Sequence, residues 1–132
     1  MRIEKKEECM KFISMRAHEA IDCIASLVFI VSPFMFGFND GRAAEWVPII
    51  IGIVLFLMAL CTRYGLGVVK IIPFKMHVAM DVVAGLLLAL SPWIFGFHHY
   101  IWLPHLILGI LEMGAALMTR TEQTRSTIPT TM

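Results

Sequence analysis

The sequence predicts an all-α membrane protein: four transmembrane helices, arranged as two helical hairpins that repeat one another in the same orientation. Three observations lead there. The 132 residues are 58% hydrophobic and 16% charged, with a mean hydropathy of +0.78. A soluble bundle of this size needs a polar face on each helix, and that material is missing. Four apolar runs stand at about 17–38, 45–62, 77–97 and 101–118, each long enough to cross a hydrocarbon core of roughly 30 Å. Finally, the phrase SPFMFGF at 32–38 returns as SPWIFGF at 91–97, a shift of 59 residues.

Taken in order, residues 1–16 form a tail with Arg2, Lys5, Lys6, Lys11 and Arg16 among Ile3, Met10, Phe12 and Ile13, an alternation that suits an interfacial helix. The first hairpin occupies 17–64. Its opening run does not read as a signal peptide: the apolar stretch is too long, it holds Asp22 and Pro33, and no small-x-small cleavage site follows. Residues 65–76 carry Gly65, Gly67 and Pro73, too apolar for a free linker and too broken for a span, so they are expected to lie along the membrane surface. The second hairpin occupies 77–120. The tail 121–132, rich in Thr and Ser, reads as flexible.

Ten of the eleven lysines and arginines fall in the two tails, the central connection and the adjoining helix ends; the other is Arg42. The positive-inside rule then predicts a multi-pass protein of the cell (inner) membrane with both termini in the cytoplasm. Trp46, Trp93 and Trp102 fall near the opposite helix ends, where indole rings favour the headgroup region. Cys9, Cys23 and Cys61 lie towards the basic side with neither CxxC nor zinc-ligand spacing, and read as thiols filling small spaces. A net charge of +1 with dispersed basic residues points to no nucleic-acid partner; the expected partners are the bilayer and either further copies or other membrane subunits.

Shifted by 59, His18 meets His77, Asp22 meets Asp81, and Ser32-Pro33 meet Ser91-Pro92; Gly37 meets Gly96. With a shorter second loop, Gly52 then meets Gly109, and Thr62-Arg63 meet Thr119-Arg120. This is a duplicated hairpin. Two crossings per unit give both copies one orientation, so the pseudo-twofold axis runs along the membrane normal. On these residues the chain resembles the SPW-repeat family of small bacterial membrane proteins. The second copy holds the whole motif at Ser91, Pro92 and Trp93; the first has Phe34 in the tryptophan place. The resemblance spans about 17–120. It implies an integral membrane protein and no particular activity, so no catalytic residue is carried over.

The motif itself reads as a helix exit. Pro33 and Pro92 deprive the carbonyls of Phe29 and Leu88 of their helical donors, and in lipid those carbonyls need another partner. Ser32 and Ser91 stand beside them, and Gly37 and Gly96 suit a helix end. A shallow lipid or quinone pocket there is the alternative.

The residues able to carry chemistry lie at the other end. His18-Asp22 and His77-Asp81 have i,i+4 spacing, which puts each pair on one helix face. The stripe continues through Ala25-Ser26 and Ala84-Gly85, small residues that predict a close approach of the first and third helices. The leading reading is a helix-locking polar network; a proton or cation path is the alternative. No cofactor is predicted outright; two histidines and two carboxylates could also hold a divalent metal, or the histidines a haem. Glu112 breaks the repeat, standing where the first copy has Leu55. A buried acid there needs a partner, with His77 or Asp81 the nearest by depth. His98, His99 and His105 match no metal motif and read as an interfacial cap. No phosphate loop, nucleophile elbow, HExxH or CxxC occurs. The sequence therefore favours a non-enzymatic structural, accessory or assembly component of a membrane complex. A small transporter or channel using the His-Asp pairs and Glu112, or a haem- or metal-binding subunit, is the alternative.

Overall fold

The computed structural model describes residues 11–63 and 67–121. Four helices follow one another: α1 Met15–Phe36, α2 Ala43–Leu60, α3 Phe74–Ile94 and α4 Leu103–Leu117. The first three are long and apolar enough to cross a membrane. At 15 residues α4 is the shortest, spanning about 22 Å, less than the run 101–118 predicts. Pro104 sets its first turn, and Met118 and Thr119 leave the helix to pair elsewhere.

That pairing occurs twice. Thr62 bridges Ile72, and Thr119 bridges Ile13. The Arg63 N–H donates to the Ile72 carbonyl and the Arg120 N–H to the Ile13 carbonyl, each at 2.9 Å. Both positions are equivalent under the duplication, so each hairpin ends by hydrogen-bonding the extended segment that leads into the other hairpin. Of the tail expected to be an interfacial helix, residues 1–10 lie outside the described part. Residues 11–14 are not helical; Ile13 supplies the bridge, and the Ser14 hydroxyl accepts from the Ala17 N–H at 3.2 Å. That cap starts α1 ahead of the expected position.

At the other end the two motifs end α1 and α3 in the same way. Ser32 Oγ donates to the Phe29 carbonyl at 2.8 Å, and Ser91 Oγ to the Leu88 carbonyl at 2.7 Å. These are the carbonyls that Pro33 and Pro92 leave without a helical donor. Gly37 and Gly96 then adopt φ of 72° and 73°, the left-handed turn that lets the chain leave the helix. The Phe38 N–H returns to Pro33 and the His98 N–H to Pro92, both at 2.9 Å.

Within hairpins α1 packs on α2 and α3 on α4; between hairpins α2 touches α3 and α1 touches α4. Helices α1 and α3 therefore stand on a diagonal. The small residues serve a different contact from the one expected. A Cβ on Gly52 would lie 2.7 Å from the Ser26 carbonyl oxygen, and one on Gly85 would lie 2.8 Å from that of Gly109. They let the two helices of each hairpin approach closely, rather than drawing α1 onto α3.

Three apolar layers fill the interior. Met15, Phe74, Val78 and Ala116 lie at the basic end; Phe29, Ile51, Leu55 and Leu88 lie at mid-bundle; Phe38, Ala44 and Phe97 lie at the motif end. The polarity is inverted relative to a soluble bundle. Leucine, isoleucine and valine cover the outside, while His18, Asp22, Ser32, His77, Asp81 and Ser91 are buried. An apolar exterior of this extent matches a lipid surrounding.

Candidate functional site

The buried polar groups converge where the first turns of α1 and α3 meet the ends of α2 and α4. His18 and His77 occupy those first turns, and helical spacing carries Asp22 and Asp81 one turn deeper on the same faces. The main pairing is between helices rather than within them. His18 Nε2 meets Asp81 Oδ2 and His77 Nε2 meets Asp22 Oδ2, both at 2.8 Å. Each histidine of one hairpin thus takes the aspartate of the other. The pairs do meet across the pseudo-twofold, but by side-chain reach along the diagonal, because α1 and α3 are not packed together.

Two threonines complete the arrangement. Thr62 Oγ1 lies 2.7 Å from His77 Nδ1, and Thr119 Oγ1 lies 2.8 Å from His18 Nδ1. Each hydroxyl also donates to a carbonyl one turn back, Thr62 to Met58 and Thr119 to Ala115, at 2.6 Å. With its proton committed there, each threonine oxygen can only accept from the ring, so both Nδ1 atoms carry hydrogen. Both Nε2 atoms then face the carboxylates, with one proton shared in each pair.

The symmetry is incomplete. His77 Nε2 also lies 3.2 Å from Asp81 Oδ2, its own i+4 neighbour, so this oxygen faces both rings; Asp81 Oδ1 has no hydrogen-bond partner among the described residues. Asp22 instead lies beside Glu112 of α4. Glu112 is near enough to Asp22, Asp81 and His77 to feel the charge of each; Asp22 joins the two expected neighbours because α4 packs beside α1 as well as α3. The rings of His18 and His77 are 5.8 Å apart at 86°, and Phe74 stacks on His77 at 6.2 Å, closing the cluster on its outer side.

His18, Asp22, His77 and Asp81 each offer one ligand atom, all within 4.8 Å of one another. This set could hold a divalent cation. Sequence reasoning missed Thr62 and Thr119 as members, although their register match across the repeat is a signal. It also missed Glu19, which is buried beside His18 where the second copy has Val78.

The remaining histidines lie at the motif end and do not join the cluster. His105 is buried between Phe38 and Phe97, and its Nε2 donates to the Ala44 carbonyl at 2.9 Å. His98 stacks on Trp93 and meets His99 at a tilt. Cys23 and Cys61 are free thiols.

The profile of the SPW repeat domain matches residues 16–119. The chain belongs to the SPW repeat family. No curated protein and no solved structure matches it. The SPW repeat and the apolar helices together make this a membrane protein. Its name-giving motif is structural in this chain: serine and proline are buried, whereas Phe34 and Trp93 are 59% and 47% exposed. The third SPW position is half exposed in both copies, and in the second Trp93 meets the rings of His98 and Trp102 there.

Proposed function

We propose that this SPW-repeat protein is a non-enzymatic structural or accessory component of a membrane assembly, with the His-Asp-Thr network as the clasp between its hairpins. Reciprocity supports this reading: both nitrogens of both rings are committed, each to the opposite hairpin's aspartate or to a helix-end threonine. Polar groups buried in a low-dielectric interior are costly unless paired, and such pairs can specify which helix meets which. A double-mutant cycle on His18→Gln and Asp81→Asn, read by thermal unfolding in mild detergent, is expected to show coupling of about 1–3 kcal/mol. Additive effects would remove the clasp. Mass spectrometry of native-membrane preparations should recover further copies or other subunits; a lone monomer would count against the accessory role. Proton or solute flux in proteoliposomes that disappears in Asp22→Asn, Asp81→Asn or Glu112→Gln would replace this reading with transport.

A divalent metal at the same cluster is favoured by one specific observation. The threonines hold both Nδ1–H groups, so both Nε2 atoms turn towards the carboxylates. Two imidazoles and two carboxylates form a ligand set that zinc accepts, with the threonines orienting the rings. A haem would need both Nε2 atoms released from their aspartates, so a divalent ion is the better-supported cofactor. Stoichiometric metal in the purified protein, lost in His77→Ala, would establish it; metal-free protein that neither binds zinc nor gains stability from it would exclude it.

The distribution of basic residues supports a cytoplasmic clasp and an inner-membrane location. A tag inserted at Arg42 should be accessible in intact cells and one at Arg125 should not.

A further inference from the structure

A cleft of about 400 Å³ opens between α1 and α4. Its walls include Ile24, Val28, Leu108, Leu111 and Ala115, and its one polar lining residue is Glu112. Ile24 and Leu111 are 63% and 64% exposed, so the mouth lies on the lipid-facing surface. Glu112 is 3% exposed, and its Oε1 has no hydrogen-bond partner among the described residues.

The duplication supplies an internal control. At the equivalent place on α2 stands Leu55, which is 0% exposed and packed with Phe29, Ile51 and Leu88. One interface between hairpins is thus filled by a leucine at the position where the other has an acid beside an opening.

The lining identifies what the cleft accepts. Glu112 is its one polar lining residue, and Oε1 of that buried carboxyl lacks a donor among the described residues, so a ligand that donates a hydrogen bond there satisfies an otherwise costly group. The mouth opens on lipid, from which a neutral donor enters at far less cost than an ammonium. The walls are aliphatic apart from Phe29, which gives a flat aromatic ring little to stack on.

We infer that this cleft binds a neutral, aliphatic, membrane-soluble alcohol, whose hydrocarbon body lies between α1 and α4 and whose hydroxyl donates to Glu112 Oε1. The volume is in the range of small-molecule sites. A hydroxyl-bearing lipid entering from the bilayer needs no route through water.

The full-length protein in lipid nanodiscs is photolabelled with a diazirine-bearing long-chain alcohol, and labelled peptides are mapped by mass spectrometry. Label should fall on α1 and α4. Dioleoylglycerol should compete, and its methyl ether should compete about tenfold less well, the loss of one hydrogen bond. Glu112→Leu, which restores the residue of the other repeat, should abolish the competition; Glu112→Gln, which keeps the acceptor, should retain it. Should Glu112→Leu fail to fold, Ala115→Leu fills the cleft without touching the carboxyl and should give the same loss. Equal competition by alcohol and ether would reduce the cleft to a seat for any acyl chain and overturn the proposal. So would stronger competition by a long-chain amine or a quinol, or labelling unaffected by either leucine variant.

Discussion

The two interfaces between the hairpins descend from one sequence written twice, yet they differ. Between α2 and α3, Leu55 is sealed in the mid-bundle layer. Between α1 and α4, Glu112 occupies the equivalent place, stands beside Asp22 and lines a cleft. The diagonal histidines divide in the same sense. His18 has one aspartate, whereas His77 lies within 3.2 Å of two. Duplication supplied a symmetric clasp, and a few later differences (Glu112 for Leu55, Glu19 for Val78) made one side polar and open. Stability is expected to reside in what the repeats share, and ligand chemistry in what they do not.

The largest expected effect breaks the clasp. His77→Ala strands Asp22, since Asp81 alone keeps His18, and should lower stability by about 3–5 kcal/mol, with His18→Ala costing less because Asp81 keeps His77 and Asp22 is untouched. Equal losses in thermal unfolding would mean that the pseudo-symmetry is functionally complete. Exchanging the distinguishing residues should give a smaller but opposed pair of results. Leu55→Glu places an acid in a closed apolar layer and should cost about 3 kcal/mol. Glu112→Leu should stay within about 1 kcal/mol, since replacing a buried polar group by a packed apolar one is often neutral. Similar losses from both would deny that the interfaces differ. The smallest effect tests what they share: Ser32→Ala and Ser91→Ala each remove one hydrogen bond to a proline-freed carbonyl and should each cost about 0.6–1.5 kcal/mol. Urea unfolding in mixed micelles would show whether the two losses match.

Much of this architecture was legible along the chain because it depends on neighbours in sequence. Apolar run length and polarity marked the helices. The serine beside each proline and the glycine after it specified the helix exits, since those contacts reach only three to six residues. The spacing of His18 to Asp22 and His77 to Asp81 put the right groups at one depth. What only the tertiary structure decided was who pairs with whom. Periodicity names the face of a helix but not the helix opposite it. Intra-hairpin packing through Gly52 and Gly85 set α1 and α3 on a diagonal, which exchanged the aspartates between histidines and brought in Thr62 and Thr119 from helix ends. The contact of α4 with α1 gave Glu112 to Asp22. The same residue types in the same order are compatible with several such pairings, and the choice among them was made by how closely the backbones can approach.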